Sequence, residues 1–328
     1  MITNYLSIDV EDYFHVSAFE DISAPASWDK RECRVEKNTE LILDILAEQD
    51  TRATFFILGW VAQRYPQLAG TIADRGHEVA SHGFLHQRVA TLRRDSYRQD
   101  IRRAKGLLED QTGRPVLGYR APSYSITRQT AWAFDELIAA GFQYDSSIFP
   151  LRHDFYGIPD WPRFTGYAVK RGGRWDASAT DEGADLAIRE IPITTLNLAG
   201  RNVPIAGGGY FRLLPYAMTR WGLRRINAVE QQPFVFYLHP WEFDPRQPRM
   251  AGARLKSRVR HYLNLERTEQ RFRALLRDFS FQPLLEEMKE KQNSGGRIQE
   301  SEFRRLKVES SRFLQRTTDN GQRTAFNK

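Results

Sequence analysis

Cysteine is nearly absent: Cys33 is the only one in 328 residues. No intrachain disulfide can form, and a cysteine-ligated zinc cluster is excluded. Long apolar runs are missing too. The longest, around 53–62, is broken by Thr54 and Gly59 and falls short of the roughly 18 residues that a membrane span needs. The N-terminus has no cationic stretch and reaches Asp9, Glu11 and Asp12 at once, which argues against a secretory signal and predicts a cytoplasmic protein. No G-x-S-x-G elbow, Walker A loop or GxGxxG occurs, so serine-hydrolase and nucleotide chemistry have no support. A basic footprint is missing as well. Of the net charge of +7, five units fall in residues 291–328, which hold nine Lys/Arg against four Asp/Glu. The other residues mix both signs, and a nucleic-acid partner is not expected.

What is present is an ordinary globular composition, 41% hydrophobic and 27% charged, enough for a sizeable core. Apolar runs at Tyr5–Val10, Arg52–Leu58, His77–Ser81, Val116–Tyr119, Gln143–Ile148, Ile188–Ile193 and Phe234–Leu238 predict strands. Between them lie helical patterns. Leu41, Ile42, Ile45 and Leu46 follow Asn38 as N-cap. Gln67–Asp74 ends at Gly76, and Tyr97, Ile101, Ala104 and Leu108 end at Gly113. A helix capped by Thr127 runs to Ala140 and Gly141. Pro150–Gly183 reads as an insertion. An amphipathic segment runs from Leu213 to Ala228, and Leu265, Phe272, Leu276 and Phe279 mark a late helix. Such alternation implies parallel strands covered by helices, as an open sheet or a barrel, with the active site at the strands' C-terminal ends. One domain over 1–290, including a C-terminal extension from about 240, is expected. The polar stretch 291–328, with Gly295 and Gly296, is expected to be disordered or loosely helical.

The residues that carry chemistry sit at the predicted strand ends. His82 and His86, at i and i+4, can converge on one metal from a single turn. Asp9 and Glu11 share one face of a strand, so one carboxylate can ligate the metal while the other serves as base. Two His and one carboxylate leave positions open for water. Asp12 is the alternative to Glu11, although a solvated acidic loop fits it as well. Arg120, in Tyr-Arg-Ala-Pro, can pair with the base or form a surface salt bridge. The Ser123 amide can face a developing oxyanion. His239, at the end of a buried strand, is a candidate general acid, though a lone His is more often a satisfied core residue.

Taken in order, Asp9-Val10-Glu11, His82–His86, Arg120-Ala121-Pro122 and Leu238-His239 resemble the motifs of the polysaccharide deacetylases, the NodB-homology or carbohydrate esterase family 4 fold, over residues 5–285. The likeness is greatest to the branch with allantoinase-type cyclic-amide hydrolases and some peptidoglycan deacetylases. Within it, the chain is similar to the bacterial deacetylases of exosortase (PEP-CTERM) exopolysaccharide loci. DVEDYFHV, GGGYFRLLP at Gly207–Pro215, HPWEFDP at His239–Pro245 and HYLNLERTEQRF at His261–Phe272 carry that similarity. Glu11 stands where the family has Asp, and Asp145 in Tyr-Asp-Ser-Ser is the nearest match to its fourth motif.

The resemblance implies a distorted (β/α)7 barrel with a C-terminal helical extension and a flexible tail, and hydrolysis of N-acetyl groups on hexosamine units of a glycan. It implies that Glu11, His82 and His86 hold a divalent ion, with zinc the expected one. Asp9, steadied by Arg120, is then the base and His239 the acid, with Asp145 as its ionised neighbour. Tyr124 and Trp241 can stack on a sugar ring, and core packing is an equal reading for Trp241. The same scaffold also admits cyclic-amide hydrolysis or a catalytically dead carbohydrate-binding protein. The sequence sets no oligomeric state.

Overall fold

The structure is a computed structural model that describes residues 2–153 and 156–288. Met1–Leu285 form one compact unit. The expectation for 291–328 lies outside the described residues.

The chain runs β1 (Thr3–Val10), α1 (Val35–Glu48), β2 (Thr54–Ile57), α2 (Gly59–Arg64), α3 (Leu68–Asp74), β3 (Glu78–Ser81), α4 (Arg94–Thr112), β4 (Gly118–Tyr119), α5 (Ala133–Ala139) and β5 (Tyr144–Asp145). It continues through β6 (Gly166–Arg171), β7 (Arg174–Ser178), β8 (Leu186–Glu190), β9 (Thr195–Leu198), β10 (Arg201–Pro204), α6 (Gly208–Leu213) and α7 (Tyr216–Arg225). It ends with β11 (Val235–Leu238), α8 (Leu255–Tyr262), α9 (Thr268–Asp278) and β12 (Ser280–Gln282).

Seven strands, in the order β11-β1-β2-β3-β4-β5-β8, pair in parallel. This is the expected seven-stranded barrel sheet, curled but not closed. Beyond β8 the sheet continues into the antiparallel hairpin β6–β7, so Pro150–Gly183 is an insertion that adds edge strands. On the other side, the chain after β8 runs back along β11: Val235 N–H donates to Thr194 Oγ1 at 2.7 Å, and Gly207 bridges Tyr237. Gly207, at φ +120, approaches so closely that a Cβ would lie 2.0 Å from the Tyr237 carbonyl oxygen.

β1 is buried over seven of its eight residues, and β2 over all four. Burial along nearly the whole strand is what a parallel sheet covered on both faces demands.

Two local expectations are corrected. Asn38 does not cap α1, which starts three residues earlier. The Asp12 carboxylate, arriving from the β1 loop, accepts the N–H groups of Arg34 at 2.5 Å and Val35 at 2.9 Å. A distant acid therefore does what a local N-cap residue usually does. The Thr127 capping box is present, but it starts a short 3-10 turn, Arg128–Thr130, with α5 following separately.

Candidate active site

Every catalytic candidate lies at or just past the C-terminal end of a parallel strand. Asp9 is the penultimate residue of β1, with Glu11 one residue beyond it; His82 follows β3, Arg120 follows β4 and His239 follows β11. Asp9, Glu11, His82 and Arg120 are buried.

Among the described residues, Glu11, His82 and His86 each offer a ligand atom, all within 4.8 Å of one another. His82 Nδ1 donates to the Arg120 carbonyl at 2.8 Å, which fixes the ring and leaves the Nε2 lone pair for the centre. Burial pushes the His82 imidazole down to about 4, so it is neutral as a ligand must be. Burial opposes ionisation of Glu11, but His86, His239 and His82 outweigh it and hold the carboxyl well below the usual range. His86 Nε2 lies 2.6 Å from Glu11 Oε2, yet that buried oxygen has no hydrogen-bond partner of acceptable geometry. Two ligand atoms crowded together without a hydrogen bond, one carboxylate and two neutral-capable imidazoles, fit a divalent ion.

The two histidines do not share a helical turn, as their spacing suggested. They are joined by an irregular loop in which Gly83 (φ +74) and His86 (φ +50) take left-handed conformations. Asp100 of α4 clamps it by accepting from Phe84 N–H at 2.7 Å and Leu85 N–H at 3.2 Å. A Cβ at Gly83 would meet Asp100 Oδ2 at 2.9 Å, so the clamp needs glycine there.

Asp9 is fixed from two sides. Arg120 Nη1 donates to Oδ1 at 2.6 Å, and the Tyr124 hydroxyl donates to Oδ2 at 3.3 Å. Arg120 is itself pinned: Nε donates to the Ser146 carbonyl, Nη2 to Ser146 Oγ and Nη1 to Ser7 Oγ. The alternative of a surface salt bridge for Arg120 is excluded, because the guanidinium is fully buried. Ser123 and Tyr124 both have positive φ, +55 and +53, a locally strained turn of the kind found at functional sites. The Ser123 hydroxyl is in close hydrogen-bond contact with that of Ser17.

His239 Nε2 faces the same cleft, 3.5 Å from Glu11 Oε1 and 3.9 Å from Asp9 Oδ2. Its Nδ1 donates to Glu242 Oε1 at 2.7 Å, and Arg212 Nε donates to Glu242 Oε2 at 2.6 Å. Burial alone would depress the imidazole, but Glu242, Glu11 and Asp9 push it up to about 9. Burial also works against Glu242, yet Arg212 and His239 keep it low.

Three sequence expectations change here. Asp145 is not the partner of His239. Its carboxylate accepts from Ser147 Oγ and Ser147 N–H, and it sits directly across the β5–β8 pairing from Glu190. Asp12 is neither a ligand nor solvated: it is fully buried, turned away to cap α1, and its own N–H donates to His15 Nδ1. Tyr124 and Trp241 are wall residues, both buried. The Trp241 indole N–H reaches Glu11 Oε1 at 3.4 Å, and its ring is stacked between His239 and His261, with centroids at 5.3 and 4.1 Å. Glu242 and Arg212 are the residues that sequence reasoning missed. The signal for Glu242 was its place three residues after His239, on the turn that Pro240 starts; nothing local marks Arg212, thirty residues away.

Residues 17–143 match the family model described as polysaccharide deacetylase, and residues 146–289 one described as a domain of unknown function, DUF3473. A peptidoglycan-N-acetylglucosamine deacetylase of Bacillus cereus is 32% identical over 99 residues, 30% of this chain and 36% of that protein. The chain thus spans little more than a third of that relative's length. Among solved structures, a polysaccharide deacetylase of Mycobacterium smegmatis, described as putative, superposes with a TM-score of 0.53 at 17% identity, covering 89% of this chain and 92% of that one. Puue allantoinase superposes with a TM-score of 0.55 at 12% identity, covering 89% and 90%. Both likenesses show the fold and do not choose between the two chemistries.

Proposed function

We propose that this chain, for which the family model and the curated relatives support the polysaccharide deacetylase (NodB-homology) family, removes acetyl groups from N-acetylated hexosamine units of a polysaccharide. The observation that carries the reading is the meeting, at one mouth of the sheet, of Glu11/His82/His86, the Asp9–Arg120 pair and the His239–Glu242–Arg212 relay.

Glu11, His82 and His86 would hold a divalent ion, with zinc the expected one; when bound it supplies polarisation of the acetyl carbonyl and acidification of water. Asp9 takes the proton of the attacking water, oriented by Arg120 and Tyr124. The Ser123 amide serves as an oxyanion donor. His239 gives its proton to the departing amine, because an amide anion is too basic to leave unprotonated. Glu242 keeps that imidazole charged and aimed. Trp241, stacked on the His239 ring, helps to hold the acid in place.

At finer grain, we assign the catalytic machinery to residues 1–290 and the substrate to an exopolysaccharide, as the exosortase-type motifs suggest. Removal of 291–328 is expected to leave turnover on a soluble oligosaccharide unchanged, as a truncated protein would show. The test of the reading is acetate release from N-acetylglucosamine oligomers by purified, metal-loaded protein, with allantoin in parallel. Acetate without allantoin turnover supports deacetylation; turnover of allantoin alone assigns the chain to cyclic amides.

A further inference from the structure

Large apolar side chains that remain exposed are not scattered over this molecule. Among the described residues, eight are more than a third exposed, and six of them fall on α6, α7, the π-helical turn Ile226–Glu230 that follows it, and α8. Leu213 is 57% exposed, Met218 51%, Trp221 54% and Val229 62%, with Leu255 at 74% and Val259 at 57% on α8. Exposed apolar side chains concentrated on neighbouring helices of one chain segment mark an interaction surface.

Helical spacing orders it. Met218, Trp221 and Arg225 lie at i, i+3 and i+7, on one side of α7, while Thr219 and Leu223 are buried on the other. On α8, Leu255 and Val259 are one turn apart, with Lys256 and Arg258 exposed beside them. Cations outnumber acids on these helices. Arg224 and Arg220 share a single acid, Asp278, at 2.9 and 3.8 Å. Arg225, Lys256 and Arg258 have no ion-pair partner among the described residues. These helices therefore present exposed Trp, Met, Leu and Val together with an excess of cations.

We infer that the α6–α7 face, extended by α8, docks on an anionic lipid bilayer. Apolar side chains on a convex helix can enter the headgroup boundary, while the long arginine stems reach back to lipid phosphates. A second copy of the chain fits less well: a two-fold contact across this face would set Arg225 and its neighbours against the same cations. The charge is complementary to an anionic surface.

The test is co-sedimentation of the full chain with vesicles of phosphatidylglycerol and phosphatidylcholine in equal parts, against phosphatidylcholine alone, at low and high salt. Wild-type protein is expected to pellet with the anionic vesicles and to be released by salt. Brominated lipid is expected to quench part of its tryptophan fluorescence, and that part to vanish in Trp221→Ser. A Met218→Ser/Trp221→Ser double variant and, separately, Arg225→Glu should each weaken partitioning roughly tenfold or more. Acetate release from a soluble oligosaccharide should be unchanged in both, which separates failure of docking from failure of the deacetylase reading. Absence of wild-type binding, equal binding to neutral vesicles, or variants that bind as well as wild type would overturn the inference. So would a dimer that Trp221→Ser dissociates without any vesicle binding, which would give the face to a second copy.

Discussion

Around Asp9 and the two histidines, the charges are supplied by residues at the ends of β1, β3 and β4, and Arg120 links them: its guanidinium holds Asp9 and its carbonyl accepts from His82. Around His239, the imidazole is held by Glu242 on its own turn, and Glu242 by Arg212 from α6. The first group lies mostly in the part that matches a deacetylase model, the second wholly in the part that matches a domain of unknown function. On the base side the partners come from other strand ends of the sheet, whereas on the acid side Arg212 comes from a helix, α6.

The largest effect is expected from emptying the ligand set. A His82→Ala/His86→Ala variant should lose bound metal by elemental analysis while circular dichroism stays unchanged, with turnover falling by roughly 10³-fold or more. Metal retained at wild-type stoichiometry would show that the ion sits elsewhere.

On the acid side, Glu242→Gln is the corresponding break. Removing the carboxylate leaves Arg212 buried without its countercharge, a destabilisation of about 3 kcal/mol measurable by urea unfolding. Glu242 raises the His239 imidazole, so its loss should move the alkaline limb of the pH–rate profile downward, toward neutrality. An alkaline limb that stays in place would mean that Glu242 does not tune the acid.

Asp12→Ala sharpens the contrast within the β1 loop. It should cost about 1 kcal/mol through loss of the α1 cap and leave metal content intact, whereas Glu11→Ala should lose metal. The reverse outcome would exchange the two roles.

How much of this could be read from the sequence follows the same division. His82, Asp9, Arg120 and His239 were legible because each lies at the end of an apolar run, and strand ends in a parallel sheet converge; His86 was legible from its i+4 spacing to His82. Asp12 was misread as a loop acid because its partners, the N–H groups of Arg34 and Val35, lie more than twenty residues away. Asp145 was assigned to His239 for want of a better acid. It faces Glu190 instead, a partner set by the β5–β8 register, which no local pattern encodes. The β6–β7 hairpin was hidden in a stretch whose Gly and Pro content reads as loop.

The smallest effect is a control far from the cleft. Burial lowers His77 to about 4, with Arg75 and Arg52 adding to the shift, and its Nδ1 accepts the Ala53 N–H at 3.2 Å. The folded form resists protonation, while the unfolded chain takes up the proton near the ordinary value of 6.5. Stability should therefore fall as pH drops from about 6.5 toward 4 and not above that window. Urea midpoints for wild type and His77→Gln at pH 7 and pH 5 would show it as a smaller loss in the variant.

The most direct measurement is the pH–rate profile of acetate release for His239→Ala beside wild type, with metal content determined on the same samples. Expected are an unchanged metal content, a loss of roughly 10²–10⁴ in turnover, and disappearance of the alkaline limb. Near wild-type turnover on an unactivated N-acetyl substrate would contradict the assignment of His239 as the proton donor, and with it the role given to the Glu242–Arg212 relay.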